Sequence, residues 1–121
     1  MKNISFTFLI FLLTLGCMNN EMSQEEIIGA WEISSAERNG KPTETLNGAY
    51  FEFAEDNTMS TNLLGREESS SYEFDGANKE IIQQGEASLR FKVLDCQQNN
   101  LSIETSIREI PFKLQLSRIV D

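Results

Sequence analysis

The sequence predicts an all-β fold: an eight-stranded antiparallel up-and-down barrel preceded by a short N-terminal helical turn. From Gly29 onward, apolar residues recur at every second position, which is the period of a half-buried β-strand. Turn-forming residues separate these segments at short intervals, and short turns join antiparallel neighbours. An open sheet of eight strands would leave two unpaired edges, whereas closure into a barrel removes both.

The helical turn is predicted immediately before the first strand. Ser23 is followed three residues later by Glu26, which is the spacing of a capping box, so residues 23–28 can form one turn. The first strand then begins at Gly29 and is broken by the turn-forming sequence Asn39-Gly40-Lys41-Pro42.

The eight strands follow one another, with inward and outward residues alternating along each. The predicted inward-facing residues are, in chain order, Trp31, Ile33 and Ser35 in the first strand; Ala49, Phe51 and Phe53 in the second; Met59, Thr61 and Leu63 in the third; Ser70, Tyr72 and Phe74 in the fourth; Leu89, Phe91 and Val93 in the sixth; Leu101, Ile103, Thr105 and Ile107 in the seventh; and Phe112, Leu114 and Leu116 in the eighth. The fifth strand, residues 80–83, has Ile81 and Ile82 side by side, so its facing stays open. Asp75-Gly76 predicts a hairpin after the fourth strand, and Pro111 is predicted to mark the end of the seventh.

The N-terminal residues resemble a bacterial lipoprotein signal. Lys2 supplies a positive charge, residues 4–15 form a mostly apolar segment, and Gly16 places a small residue before Cys17. Cleavage before Cys17 would leave it as an acylated N-terminus that anchors the protein to a membrane. The alternative, a single spanning helix, needs about 20 apolar residues, and this segment is shorter.

These features divide the chain into a signal peptide (1–16), a lipidated tether (17–22) and one barrel domain (23–121), which we expect to be monomeric. Cleavage removes one of ten basic side chains and none of nineteen acidic ones, so the mature net charge is 9 − 19 = −10. This charge argues against nucleic acid as a partner and against attraction to anionic lipid. The acyl chains on Cys17 must therefore provide the membrane attachment.

Residues that carry catalysis or bind metals are scarce in this sequence. The chain contains no histidine, which is the commonest general base and zinc ligand. With Cys17 acylated, Cys96 is the one remaining thiol, which excludes a disulfide within the chain. Glu55-Asp56-Asn57 lacks the spacing of an EF-hand loop, and no P-loop, dinucleotide fingerprint or nucleophile motif occurs. The sequence therefore predicts no catalytic residue, no metal site and no cofactor.

A Gly-x-Trp motif, Gly29-Ala30-Trp31, opens the first strand. With the helical turn before it, a long first loop and eight meandering strands, it resembles the lipocalin family, in particular the small lipocalin-like lipoproteins of Bacteroidetes, over residues 23–120. The resemblance implies that an Arg or Lys from the last strand covers the first-strand Trp at the closed end of the barrel. Strand parity places Arg118 there, level with Trp31, where a cation-π contact would contribute roughly 0.5 to 2 kcal/mol.

The opposite, open end of the barrel is the predicted ligand-binding region. Residues 38–48 form the one connection at this end that is long enough to act as a lid. The side chains expected to face the interior of this half combine a few hydroxyls with apolar walls, which is the composition of a small-molecule pocket. They are Ser35, Thr61, Leu63, Ser70, Tyr72, Leu89, Thr105, Ile107 and Phe112. A rival interpretation, in which large aromatic side chains fill the barrel, stays open at this point.

Three classes of function remain. The resemblance implies a carrier or sensor of a small apolar ligand. The alternative is a module that docks a protein partner in the cell envelope or inhibits an enzyme there, with residues 38–48 as an inserting loop. An enzyme is the weakest of the three, because no nucleophile-base constellation is present. The lipoprotein signal places the protein in the bacterial cell envelope, anchored to the outer membrane and facing the periplasm or the cell surface.

Overall fold

The chain forms a closed antiparallel barrel in the computed structural model, which describes residues 21–85 and 88–120. The predicted signal peptide, Cys17 and most of the tether lie outside the described residues. A 3₁₀ turn, Gln24–Glu26, precedes nine strands. The strands are β1 (Gly29–Arg38), β2 (Lys41–Thr43), β3 (Tyr50–Phe53), β4 (Thr58–Thr61), β5 (Glu68–Asp75), β6 (Glu80–Gln83), β7 (Arg90–Cys96), β8 (Asn100–Ile107) and β9 (Ile110–Arg118). No helix in the described part of the chain is long and apolar enough to cross a membrane.

Eight of these strands close the barrel. β1 and β3 to β9 pair in chain order, and β9 pairs back onto β1 to complete the ring. β2 is the additional strand, and it pairs with β1. The predicted all-β, up-and-down barrel is therefore confirmed. The capping box is also present, since Ser23 accepts from the backbone of the turn and Glu26 accepts from the Ser23 backbone.

The predicted lid, residues 38–48, is in large part a hairpin instead of an open loop. Asn39 and Gly40 have φ values of 55° and 84°. Two consecutive positive φ values are typical of the tight two-residue turn that joins antiparallel strands. The chain therefore reverses at once, and Lys41–Thr43 pairs with the last three residues of β1.

A β-bulge in β1 changes which side chains face the interior. The register with β9 shifts between Ile33 and Ser35, so one additional residue is inserted at this point. An inserted residue reverses the alternation beyond it. Ala36 is therefore buried opposite Leu114, whereas Ser35 is exposed opposite Gln115. The prediction that Ser35 faces a pocket is wrong.

The turn between β8 and β9 also differs from the prediction. Arg108 and Glu109 have φ values of 54° and 70° and form a second two-residue hairpin turn. Pro111 lies inside β9, opposite Ser106, and does not mark a break in the chain. Proline is tolerated at this position because the β1–β9 ladder begins only at the next residue, at the Arg38–Phe112 pair, so no ladder hydrogen bond needs an N–H from Pro111.

Large aromatic rings fill much of the interior. Phe51 stacks on Phe53 with centroids 6.0 Å apart and meets Phe91 edge-on at 5.5 Å. Phe53 in turn meets Tyr72 edge-on at 5.4 Å. With Trp31, these rings are buried to 2% exposure or less, so they connect β1, β3, β5 and β7 through one packed core.

Candidate ligand-binding site

Arg118 and Trp31 lie against each other at the closed end. The two residues are partners in the β1–β9 ladder, and Arg118 Cζ lies 4.2 Å from the centroid of the indole ring. The guanidinium also donates to the carbonyls of Ile28 (2.7 Å), Glu26 (3.2 Å) and Gln98 (2.7 Å). The side chain therefore joins the last strand to the N-terminal segment and to the turn between β7 and β8.

Gly29 provides the space that this guanidinium occupies. Its φ is +128°, and a Cβ at this position would lie 2.5 Å from Arg118 Nη1. Trp31 is fully buried and donates from Nε1 to the carbonyl of Ile27 at 3.0 Å. The Gly-x-Trp motif is therefore explained by packing, since the glycine admits the cation and the tryptophan supplies the ring beside it.

The N-terminal segment is bonded to the other closed-end turns as well. The backbone N–H of Met22 donates to the carbonyl of Gly76, in the turn between β5 and β6, at 3.1 Å. Gln24 Nε2 donates to Asn57 Oδ1, in the turn between β3 and β4, at 2.7 Å. Together with the Arg118 contact, these bonds connect the segment to all three turns at this end of the barrel.

Tyr72 belongs to this closed end. It is 2% exposed, and its hydroxyl accepts from Gln24 Nε2 at 2.8 Å and donates to the carbonyl of Ala54 at 3.2 Å. Burial raises the pKa of the phenol, and the hydrogen bond from Gln24 partly offsets this effect. Because both partners lie in closed-end segments, the hydroxyl is not available to a ligand at the open end. The prediction that Tyr72 orients a ligand there is wrong.

Two predicted hydroxyls in the open half are bonded within the wall of the barrel. Thr61 is 4% exposed and donates to the carbonyl of Tyr50 at 2.7 Å. Thr105 is 7% exposed and donates to the carbonyl of Arg90 at 2.6 Å. These hydroxyls therefore stabilise contacts between strands.

The predicted apolar residues line the interior to different depths. Leu63 and Phe112 are buried, whereas Leu89 and Ile107 are partly buried and pack against the core. All four lie next to the open rim, because each is in the last or first few residues of a strand or in a turn at that end. They form an apolar surface above the aromatic core.

Two polar atoms inside the barrel have no hydrogen-bond partner among the described residues. They are Ser70 Oγ and Gln83 Oε1, and both atoms are buried. Gln83 is 2% exposed, lies opposite Tyr72 on β5 and donates its backbone N–H to the carbonyl of Leu89. Ser70 lies two residues before Tyr72, on the same inner face of β5. A buried, unpaired acceptor costs about 1–3 kcal/mol, so a water or a ligand group that bonded to these atoms would stabilise the protein.

Sequence reasoning missed Gln83, because Ile81 and Ile82 are adjacent and give no alternation. In the structure Ile81 is fully buried and pairs with Phe74, which places Gln83 on the same inner face. The predicted hairpin at Asp75-Gly76 could have revealed the facing of Gln83. In the structure, a turn of four residues joins β5 to β6, and this turn length fixes which residues of the two strands are opposite each other and which face of the sheet they occupy.

A cleft of about 500 Å³ runs along the outer face of β7, β8 and β9 to the open rim. Across the strand ladders, charged residues on this face alternate in sign in the order Glu80, Lys92, Glu104, Lys113, Glu37. Glu80 pairs with Arg90 at 3.1 Å, which is the one ion pair within the described part of the chain. Of the predicted pocket residues, Leu89, Thr105 and Phe112 contribute to the lining. The other six predicted pocket residues do not line the cleft, so it overlaps the predicted pocket only in part.

Cys96 is held as a structural thiol. It is partly buried, with Sγ 3.8 Å from the carbonyl oxygen of Glu26. Burial raises the pKa of the thiol, which keeps it protonated and weakly nucleophilic at neutral pH. Within residues 21–85 and 88–120, no group of three or more His, Cys, Asp or Glu side chains is placed to hold a metal ion.

Comparison with known proteins gives one informative match. No family model and no curated protein matches this chain. Among solved structures, the chain is similar to a lipocalin-like protein from Bacteroides uniformis ATCC 8492, with a TM-score of 0.54 and 16% sequence identity. The match covers 78% of this chain and 99% of that chain. The likeness at this identity concerns the backbone, and it confirms the resemblance noted in the sequence: this chain has the lipocalin-like fold.

Proposed function

We propose that this protein is a lipid-anchored binding protein of the bacterial cell envelope that holds a small apolar ligand in the open half of its barrel. A lipocalin-like barrel is generally a binding fold and not a catalytic one. The observation that carries the proposal is that Ser70 Oγ and Gln83 Oε1 are buried without a partner on an inner surface where the other buried hydroxyls, Thr61 and Thr105, are already bonded. A ligand pocket has this composition: apolar walls with a few polar groups that fix orientation.

The position of the tether supports an outward-facing pocket. Met22 is bonded to Gly76 at the closed end, and β1 begins at the same end. Four residue steps separate Cys17 from Glu21, which reach at most about 14 Å. An acylated Cys17 would therefore hold the closed end near the bilayer and leave the open end facing the aqueous compartment.

Uptake of N-phenyl-1-naphthylamine, a neutral apolar dye, tests the proposal. The full chain in phosphatidylcholine nanodiscs should raise the dye fluorescence above that of empty nanodiscs. Ser70→Phe places a ring in the open half and should abolish the increase. Ser71→Phe is the matched control, since Ser71 is exposed on the outer face of the same strand. Equal uptake by both variants, or none by the parent protein, contradicts the proposal.

Anchoring is tested separately at Cys17. Metabolic labelling with a fatty acid should mark the parent protein and not Cys17→Ser, which should remain unprocessed or soluble. Continued labelling of the variant would exclude acylation at this residue.

The outer cleft supports a second candidate function, a module that docks a protein in the envelope. It gathers three acidic and three basic side chains on a chain that is otherwise strongly acidic. Replacing Lys92 and Lys113 with Glu should then abolish in vivo cross-links to a partner, without any change in dye uptake. A loss of dye uptake in this double variant would instead connect the cleft to the barrel interior.

A further inference from the structure

We infer that the ligand of the open half carries a neutral polar group with a hydrogen-bond donor, such as a hydroxyl or a primary amide, and not a carboxylate. This inference rests on the proposed function and narrows the ligand class. It is drawn from the two buried atoms Gln83 Oε1 and Ser70 Oγ, which have no partner among the described residues.

The hydrogen-bonding capacity of the pair selects the ligand group. Gln83 Oε1 can only accept, whereas the Ser70 hydroxyl can donate or accept. A ligand hydroxyl or amide can donate to Gln83 and accept from Ser70, which satisfies both atoms. A carboxylate has no proton to donate, so it would be held only by the Ser70 hydroxyl and, once the amide turns over, by Gln83 Nε2, both of them neutral donors.

The interior also lacks a cation that could neutralise a carboxylate. The buried polar residues in the described part of the chain are Thr61, Gln83 and Thr105, and none carries a charge. An ion transferred among them would lose its hydration without gaining a partner, which is strongly unfavourable.

Among the described residues, charges occur on this inner surface only at its rim. Arg38 is opposite the buried Phe112 and is itself exposed, so its guanidinium lies at the edge of the opening. Glu68 is opposite the buried Thr61 and brings a negative charge to the same end. A carboxylate ligand would have to be held at this rim, and its binding would then depend on Arg38 instead of Gln83.

Three ligands of equal chain length test this inference. The full chain in phosphatidylcholine nanodiscs is titrated with 1-dodecanol, dodecanamide and dodecanoate, each ¹³C-labelled at the head carbon, at a mildly alkaline pH where the acid is ionised. The amount of bound ligand is taken from the ¹³C signal after subtraction of the signal from empty nanodiscs. The alcohol and the amide should bind at least about tenfold more tightly than the carboxylate.

Matched variants separate the polar pair from general effects on the barrel. Gln83→Leu and Ser70→Ala should each weaken the alcohol and the amide by about fivefold or more. The exposed outer-face variants Gln115→Leu and Ser71→Ala should leave all three affinities unchanged. Gln83→Leu should also leave the barrel at least as stable to urea, because it removes an unpaired buried oxygen while nearly keeping the side-chain volume. Weaker binding with unchanged stability is a result that a purely structural role would not give.

The outcomes distinguish this inference from the proposed function. Dodecanoate binding as tightly as dodecanol, and depending on Arg38 but not on Gln83, overturns the inference and leaves the proposed function standing. If none of the three ligands binds, both the inference and the proposed function are overturned. Ser70 Oγ and Gln83 Oε1 would then be explained by an ordered water.

Discussion

The two ends of this barrel are stabilised by different kinds of contact. At the closed end, hydrogen bonds join segments that are far apart in the chain, such as Arg118 to Ile28 and Gln24 to Tyr72. At the open end, the described hydrogen bonds join connections that are neighbours around the ring, such as Asn62 Nδ2 to the carbonyl of Gly48 at 3.2 Å and the Asn39 N–H to the carbonyl of Pro111 at 2.7 Å. At the closed end one N-terminal segment therefore cross-links three turns, whereas at the open end each connection is bonded only to its neighbours.

The same difference appears in the buried polar atoms. In the open half, Ser70 Oγ and Gln83 Oε1 have no partner among the described residues, whereas at the closed end the Tyr72 hydroxyl is bonded to Gln24 and Ala54. A buried hydrogen bond that is not made lowers the stability of the fold. Binding sites are commonly drawn from the less stable part of a fold, because the groups that wait for a ligand are not yet satisfied. The comparison predicts that equivalent changes at the two ends have unequal costs.

Truncation of the buried aromatic residue at each end gives the largest expected effect. Trp31→Ala removes a fully buried ring, its hydrogen bond to Ile27 and the surface beside Arg118. It should lower the free energy of unfolding by about 3 to 5 kcal/mol. Phe112→Ala at the open end should cost clearly less, because the space it leaves adjoins the rim and breaks no hydrogen bond. Urea denaturation measures both, and equal losses would contradict the difference between the ends.

Glycine substitutions compare the two ends with the same chemical change. Gly29→Ala meets Arg118 Nη1 at 2.5 Å and also forces alanine to a φ of +128°, so it should cost about 2 to 3 kcal/mol. Gly48→Ala has a φ of +90° with open space around the new methyl group, so only the backbone cost of about 1 kcal/mol remains. Thermal unfolding of the two variants gives the difference. A Gly48→Ala variant as unstable as Gly29→Ala would mean that backbone strain, and not the cation, explains the glycine.

The closed end was more predictable from the sequence than the open end. The lipocalin resemblance implied that a basic residue of the last strand covers Trp31, and parity and strand direction identified Arg118 as that residue, because long alternating strands flank both positions. The bulge between Ile33 and Ser35 could not be predicted, since an inserted residue leaves the pattern of apolar residues nearly unchanged. For this reason the facing of Ser35 was wrong although the strand itself was right.

The interior polar groups show a second limit of sequence patterns. Alternation predicts which side of a strand a residue occupies, but not the direction in which a long side chain extends. Tyr72 does face inward, yet its hydroxyl bonds to Gln24, 48 residues earlier in the chain. Gln83 was missed for a different reason: its strand is short and contains two adjacent isoleucines, so the sequence gives no alternation from which its facing could be predicted. Such positions are fixed by long-range contacts, and these require the assembled barrel.

The Trp31–Arg118 contact is expected to make a smaller contribution to the free energy of unfolding, and a double-mutant cycle is needed to isolate it. Arg118→Ala, Trp31→Ala and the double variant form a cycle, and the coupling should be about 0.5 to 2 kcal/mol for a cation-π contact at this distance. Arg118→Lys keeps the charge but cannot reach all three carbonyls at once, so it should restore only part of the stability. Strict additivity would show that Arg118 stabilises the closed end through its hydrogen bonds alone.

The smallest expected effect concerns the pH dependence of stability, which can be compared at the two ends through Tyr72 and Tyr50. Burial raises the pKa of Tyr72 above its usual value of 10.0. The hydrogen bond to Glu67 raises the pKa of Tyr50, whose hydroxyl lies 2.7 Å from that carboxylate near the open rim. A phenol with a raised pKa in the folded state contributes stability that is fully present below about pH 10 and is lost as the pH rises through the folded pKa.

The titration of Tyr72 should be coupled to unfolding of the barrel more strongly than that of Tyr50, because the Tyr72 hydroxyl is bonded inside the closed-end network. Phenolate absorbance and urea stability are followed together in Tyr50→Phe, which isolates Tyr72, and in Tyr72→Phe, which isolates Tyr50. In the first variant, ionisation of Tyr72 should coincide with loss of stability, whereas in the second the half-exposed Tyr50 should ionise with a smaller change in stability. Gln24→Ala should move the Tyr72 titration further upward, since the Gln24 hydrogen bond lowers that pKa. If Tyr72 ionises at its ordinary value while the protein stays folded, its hydroxyl is accessible to water and the closed end is looser than this network implies.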